Sequence, residues 1–141
     1  MFDRALLLCV EKISLYHSLM SQLEIISDHV SGYDLRAQLT PSELHIHAQM
    51  YRFPFNVRDR WERYFFKKIN NYLLAEISAQ KPDLVMVYNS EFLLPETCAI
   101  IKKASRLVFF MGDSPFYTPM NNYYLTCLAY ADLILAPDTF W

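Results

Sequence analysis

The chain has 141 residues, of which 53% are hydrophobic and 20% charged, which is typical of one folded domain and excludes a disordered segment. Its net charge of −2 gives no general attraction to nucleic acid, and its two glycines argue against a glycine-rich phosphate loop. The three cysteines lack CxxC spacing and lie in apolar stretches. They indicate buried free thiols in a reducing compartment, so we expect a cytoplasmic protein. No apolar run approaches the roughly 20 residues of a transmembrane helix.

The first half of the chain begins with an apolar run, Ala5–Val10, which predicts a buried first strand. Apolar residues at helical spacing follow from Leu15 to Ile26. Ser31-Gly32 interrupts that pattern, and Tyr33–Leu39 is a candidate for a short second strand. The capping box Thr40-Pro41-Ser42-Glu43 then predicts the start of a helix. The next residues, 44–47, alternate like a strand, so the sequence leaves that segment open between helix and strand.

The second half alternates apolar strands with helices. A helical stripe from Asp59 to Lys81 follows an aromatic segment, Tyr51–Phe55, in which Pro54 predicts a loop. The elements expected after it are strand Leu84–Tyr88, helix Pro95–Ala104, strand Leu107–Met111, a helix capped by Thr118-Pro119, and strand Ala131–Ala136. Strands separated by helices require parallel crossovers. We therefore expect a Rossmann-like three-layer α/β/α domain with a mainly parallel sheet, spanning residues 1–141.

Polar residues follow each of these strands. They are Asn89, Ser90 and Glu91 after one strand, Asp113 and Ser114 after the next, and Asp138 after the last. Right-handed crossovers place all of these strand ends at one edge of the sheet, where open α/β sheets bind ligands. A carboxylate at Asp113 suits a general base for a hydroxyl group, or a hydrogen-bond acceptor from one. The alternative is that Asp113 caps a turn with its own backbone.

Four segments of the chain resemble, in order and spacing, the amino-terminal half of CgeB-like (spore-maturation type) glycosyltransferases. The segments are Pro82–Val87, Leu94–Thr97, Arg106–Phe116 and Ala131–Asp138. The resemblance implies a GT-B architecture, in which the amino-terminal domain receives the sugar acceptor and a second domain holds the nucleotide-sugar. We expect the chain to be truncated before that second domain. The residues Glu11–Ser14 stand where many GT-B proteins have a glycine-rich turn.

This resemblance gives roles to the strand-end residues. It implies that Asp113 orients or deprotonates the acceptor, with Asn89, Ser90, Glu91, Ser114 and Asp138 lining its site. Phe116 and Tyr117, on the loop after Asp113, are candidates for stacking on a sugar ring. The chain itself would need no cofactor and would meet the nucleotide-sugar only through the second domain. The rival hypothesis is a non-catalytic α/β interaction module or a degenerate glycosyltransferase fragment.

A basic segment spans residues Arg52 to Lys68. It contains Arg52, Arg58, Arg60, Arg63, Lys67 and Lys68, opposed only by Asp59 and Glu62. Such a segment is able to contact a phosphorylated acceptor, an anionic lipid surface or a partner domain. The other interpretation is a solvated helix face with i,i+4 ion pairs such as Asp59–Arg63.

Two histidines, His45 and His47, would share one face if their segment were a strand. Zinc requires further ligands, and no cysteine or acidic residue is suitably close in the sequence. We therefore predict no metal site. A phosphate-accepting receiver domain is also disfavoured, because it needs an acidic pair after the first strand, where Glu11 stands alone.

Overall fold

The computed structural model of this protein describes residues 1–89, 92–112 and 122–136. In these residues it has five strands in one sheet, with helices between them. The strands are β1 Phe2–Leu8, β2 Ser27–Tyr33, β3 Leu84–Tyr88, β4 Arg106–Phe110 and β5 Leu133–Leu135. The helices are α1 Tyr16–Ile26, α2 Pro41–Met50, α3 Phe55–Gln80, α4 Pro95–Ile101 and α5 Asn122–Leu128.

The strand order is β2-β1-β3-β4-β5, and all four neighbouring pairs are parallel. The chain therefore adds β2 on one side of β1, and then adds β3, β4 and β5 in turn on the other side. Its topological switch point lies between β1 and β3, where Ala5 pairs with Leu84 and Leu8 with Val87. The predicted Rossmann-like α/β fold is confirmed.

Apolar side chains cover both faces of the central strands, which is why these strands have continuous hydrophobic sequences. Leu6 and Leu8 of β1 belong to a core cluster that includes Phe66 and Leu73 of α3. Their neighbour Leu7 belongs to a second cluster on the opposite face. That second cluster includes Leu23, the buried residue of α1. Side chains that alternate between two clusters define the three layers of the domain.

The second strand differs from its prediction. β2 occupies Ser27–Tyr33 and follows α1 without a loop, whereas Tyr33–Leu39 was the predicted strand. Gly32 does not break the structure, since it lies inside β2, where the ring of Tyr16 packs. A Cβ at Gly32 would lie 2.9 Å from Tyr16 Cζ, so a larger residue would displace this ring. The residues after β2 form turns, with Ala37 N donating to Asp34 O at 3.0 Å.

The capping box at the start of α2 is confirmed, because Glu43 N donates to Thr40 Oγ1 and Thr40 N donates to Glu43 Oε2. The ambiguous segment 44–47 is helical. The helix α3 begins at Phe55, four residues before its predicted start at Asp59. The other strands and α4 lie within three residues of their predicted bounds, and the predicted capping pair Thr118-Pro119 lies outside the described residues.

The long helix α3 extends past the sheet. Its carboxyl end lies at the amino edge of the strands, where Arg4 Nη1 of β1 donates to Gln80 O at 2.9 Å. With 26 residues, α3 measures ~39 Å, against ~17 Å for the five residues of β3. Phe66 already packs against Phe92, which follows β3. The residues of α3 before Phe65 therefore project beyond the carboxyl ends of the strands, with α2 beside them.

Two aspartates explain why Pro82-Asp83-Leu84 and Ala131-Asp132-Leu133 have similar sequences. Asp83 Oδ2 accepts from the backbone nitrogens of Asp3 and Arg4, both at 3.1 Å. Asp132 Oδ2 accepts from Leu107 N at 2.9 Å. Each aspartate precedes one strand and accepts from backbone N–H groups near the start of a neighbouring strand in the sheet. The repeated motif therefore stabilises the amino edge of the sheet, opposite the strand ends that suggest function.

The cysteines Cys9, Cys98 and Cys127 are buried free thiols, as predicted. Within the described ranges of the chain, no helix combines the length and the apolarity needed to cross a bilayer.

Candidate functional site

A crevice opens at the carboxyl ends of the strands, at the switch point between β1 and β3. The ends of β1, β2 and β3 and the loops after them line it: Leu8, Cys9, Val10, Asp34, Leu35, Arg36, Tyr88, Asn89 and Phe92. Its volume is about 30 Å³, which is room for about two water molecules. The crevice is therefore sized for a hydroxyl group or two rather than for a whole sugar ring.

Asp34 and Arg36 supply two of the polar groups at the crevice. Asp34 Oδ1 accepts from Arg36 N at 2.8 Å, and Ala37 N donates to Asp34 O at 3.0 Å, so the aspartate is held in an Asx-type turn. The Arg36 guanidinium lies over the Phe92 ring, 5.5 Å from its centroid. Neither residue was a predicted site residue, because the sequence pattern predicted a strand over Tyr33–Leu39. The local signal was an aspartate directly after Tyr33, in a position to start a turn.

Asn89 is the predicted site residue that the structure describes, and it lies at the expected edge. Its φ of 41° is left-handed, a conformation that asparagine tolerates better than most residues. Its Oδ1 accepts from Gly112 N at 2.9 Å, and its own backbone nitrogen donates to Phe110 O at 3.4 Å. Asn89 therefore joins the ends of β3 and β4 while it lines the crevice.

The ring of Tyr88 packs closely against Gly112. A Cβ at position 112 would lie 2.8 Å from Tyr88 Cζ, well inside van der Waals contact. The Tyr88 ring also stacks on Phe110, with centroids 5.6 Å apart. One wall of the crevice is thus an aromatic side chain fixed across the end of the neighbouring strand.

The thiol of Cys9 is a poor nucleophile. Burial, followed by the negative charge of Asp34, raises its pKa to about 11. At neutral pH the group is a protonated thiol, whereas catalytic cysteines react as thiolates. Cys9 therefore contributes shape to the crevice rather than covalent chemistry.

A buried amide fixes the loop after β3. Asn70 of α3 is 2% exposed, and its Nδ2 donates to Phe66 O and to Phe92 O, both at 2.7 Å. Its Oδ1 accepts from Leu94 N at 3.1 Å. Phe92 lines the crevice, whereas Asn70 does not. Asn70 therefore fixes the position of one wall of the crevice through its hydrogen bond to Phe92 O.

The remaining predicted site residues lie outside the described residues. They are Ser90, Glu91, Asp113, Ser114, Phe116, Tyr117 and Asp138. The roles given to them above stay predictions. In the sequence, Ser90 follows Asn89 and Asp113 follows Gly112. Asn89 and Gly112 are hydrogen-bonded to each other.

The basic segment is partly neutralised by carboxylates. Arg63 Nε lies 3.0 Å from Asp59 Oδ2, which is the predicted i,i+4 pair, and Arg58 Nε lies 3.7 Å from Glu62 Oε1. Lys68 pairs with Glu43 of α2. The hydrogen bond from Lys68, followed by that from the Thr40 backbone, lowers the pKa of Glu43 to about 2. Arg52, Arg60 and Lys67 have no carboxylate partner among the residues that the structure describes.

Among the described residues, neither His45 nor His47 has the neighbouring ligands that a metal site needs. His45 and His47 lie on the helix α2, so they do not share a face as they would on a strand. His47 is buried and stacks on Phe65, with centroids 4.7 Å apart. Residues 1–89, 92–112 and 122–136 contain no group of three or more histidine, cysteine or acidic side chains able to hold a metal ion.

Comparison with known proteins gave no relative: no protein-family model, curated protein or solved structure matches this chain significantly. The fold class therefore rests on the sheet topology itself. The function has to be argued from the crevice and its polar groups.

Proposed function

We propose that this chain is the acceptor-binding half of a GT-B glycosyltransferase, which moves a sugar from a nucleotide-sugar to a hydroxyl group. The observation that carries the proposal is the crevice at the switch point of the parallel sheet, with Asp34, Arg36 and Asn89 around it. In open α/β sheets this is where ligands bind.

The chemistry of the crevice suits a hydroxyl group. A carboxylate accepts a hydrogen bond from a hydroxyl, a guanidinium donates to its oxygen, and an amide does both. A space of about 30 Å³ admits such a group, while the rest of the acceptor stays outside the crevice. In this proposal Asp34 and Arg36 bind the acceptor together with Asn89, and sequence analysis adds Ser90, Glu91, Ser114, Phe116, Tyr117 and Asp138.

The proposed transfer needs a donor held by a second domain. The acceptor oxygen forms a bond to the anomeric carbon as the bond from that carbon to the nucleotide phosphate breaks. The hydroxyl proton passes to a carboxylate, proposed to be Asp113, and the nucleotide leaves with its phosphates. In a protein that contains both domains, Asp113→Asn would lower the transfer rate, whereas an unchanged rate would remove Asp113 from the mechanism.

Titration of the isotopically labelled chain with neutral mono- and disaccharides, followed by amide NMR, tests the acceptor site. We expect shifts at Cys9, Leu35, Arg36 and Asn89, and much smaller ones with free nucleoside diphosphates. Shifts caused by the nucleotide alone, or saccharide shifts confined to other surfaces, would contradict the proposal.

A non-catalytic interaction module is the second candidate. The small volume of the crevice and the protonated Cys9 thiol favour it, since neither supplies chemistry. This candidate predicts no saccharide shifts at the crevice, so the same titration separates the two functions.

A further inference from the structure

The turn between α2 and α3, with the ends of both helices, exposes large apolar side chains. We call residues 46–64 the hairpin tip. Its exposed apolar residues are Ile46, Tyr51, Phe53, Phe55, Val57 and Tyr64, with between 43% and 67% of each accessible to solvent. Residues 51–57 form a continuous exposed stretch. Single exposed apolar residues are common, but a contiguous group of this kind marks an interaction surface.

The same tip carries cations that no described carboxylate neutralises. Arg52 lies within the exposed stretch, and Arg60 lies one turn before Tyr64 on α3. The acids of the tip have other partners, since Asp59 pairs with Arg63 and Glu62 with Arg58. The tip therefore presents positive charge between apolar side chains.

Arg58 holds the aromatic side chains of the tip in place. Its guanidinium carbon lies 5.4 Å from the centroid of the Tyr51 ring and 5.4 Å from that of Phe55. These cation–π contacts link the turn to the first residues of α3. The aromatic rings are thus braced in exposed positions rather than folded back onto the core.

An open groove runs beside these rings. Its walls are mainly apolar, with one cation: Met50, Asn56, Val57, Arg60, Trp61 and Tyr64. Its volume is about 460 Å³, which is of the size of small-molecule sites. The apolar walls suit a hydrocarbon chain, and the Arg60 guanidinium suits a phosphate. The groove therefore matches a molecule in which a hydrocarbon chain lies next to a phosphate.

We propose that the hairpin tip docks on an anionic membrane surface. Phe53 and Phe55 enter the boundary between headgroups and acyl chains, while Arg52 and Arg60 bind lipid phosphates. Aromatic residues beside arginines are the composition that interfacial segments use. The tip combines exposed aromatic side chains with cations that have no described carboxylate partner, a combination that complements the acyl chains and phosphates of a lipid surface. The proposal is independent of the glycosyltransferase assignment.

Vesicle co-sedimentation tests this docking. The probes are vesicles of phosphatidylcholine alone and of phosphatidylcholine mixed with phosphatidylserine, at low and high salt. We expect binding to the anionic vesicles, weakened by salt, and little binding to the neutral ones. Arg52→Glu/Arg60→Glu should weaken binding by roughly 30-fold or more. Phe53→Ser/Phe55→Ser should weaken it at both salt concentrations.

Matched controls carry the same changes elsewhere. Lys12→Glu/Lys103→Glu changes the net charge equally at exposed lysines, and Ile25→Ser/Ile100→Ser removes two exposed apolar side chains from α1 and α4. All four variants should keep the unfolding midpoint of the parent protein. The two control variants should also keep the vesicle binding of the parent protein. Absence of binding, equal binding to both vesicle types, or equal losses in tip and control variants would overturn the proposal. Self-association abolished only by the tip variants would assign the tip to a second copy of the chain instead.

Discussion

Asn89 Oδ1 accepts a 2.9 Å hydrogen bond from the backbone nitrogen of Gly112, and this contact joins the carboxyl ends of β3 and β4. It forms because Asn89 turns the chain out of β3 in a left-handed conformation, with φ of 41°. The candidate site residue Asn89 therefore also stabilises the fold. Its substitution has to be interpreted through stability before any effect on binding is assigned.

Substitution at Asn89 should separate these contributions. Asn89→Ala loses the hydrogen bond and places an alanine in the left-handed region, so we expect a loss of about 2 kcal/mol in unfolding free energy. Asn89→Gly loses the same hydrogen bond but adopts this φ without strain, so it should be less destabilising. Urea unfolding of both variants measures the difference. Equal losses would show that the backbone conformation at position 89 carries no cost.

Gly112 and Tyr88 should be energetically coupled. Gly112→Ala places a methyl group 2.8 Å from Tyr88 Cζ, which we expect to cost about 1–3 kcal/mol. In a Tyr88→Ala background the methyl group no longer meets the tyrosine ring, so the same change should cost much less. A double-mutant cycle gives the coupling energy. Additive effects would contradict the close packing described here.

The buried amide of Asn70 should dominate the stability of the loop after β3. Asn70→Ala leaves Leu94 N and Phe92 O without their side-chain partner, and we expect a loss of about 3 kcal/mol. Asn71→Ala, at the exposed neighbour on the same helix, is the control and should change stability little. Similar losses for the two variants would show that the hydrogen bonds of Asn70 do not stabilise this loop.

His47 should make stability depend on pH. Burial, followed by the charge of Arg36, lowers the pKa of His47 below its ordinary value of 6.5. The unfolded chain then binds a proton more readily than the folded one, so stability is unaffected above pH 6.5 and decreases as the pH falls below it. His47→Phe keeps the aromatic ring and should remove this part of the decrease. His45→Gln, at an exposed position, should retain it, and an unchanged profile in His47→Phe would contradict the assignment.

The sequence predicted the central strands well, because their residues are buried on both faces and form apolar runs. Leu84–Tyr88 was predicted to the residue, and the capping box at Thr40 marked the start of α2. β2 was misplaced since its sequence, Ser27–Tyr33, is largely polar and belongs to an edge strand that is only partly covered. This error also hid Asp34 and Arg36.

Strand order explains why the site itself was only partly predicted. Polar residues after a strand are visible in the sequence, but the switch point depends on which strands are neighbours. The sequence pattern therefore favoured Asp113, which follows β4, whereas the described crevice lies between β1 and β3. Asn89 is both a predicted site residue and a residue of the crevice, because it follows β3, which lies between β1 and β4.

Saccharide binding by Asp34→Asn is the most direct test of the proposed acceptor site. This change keeps an oxygen to accept from Arg36 N and removes the negative charge from the crevice. The matched control is Asp28→Asn, at an exposed position near the amino end of β2. Titration calorimetry should show saccharide binding to the parent and the control, and an affinity about tenfold lower in Asp34→Asn. Equal affinities in all three proteins, or no saccharide binding by any of them, would contradict an acceptor site at the switch point.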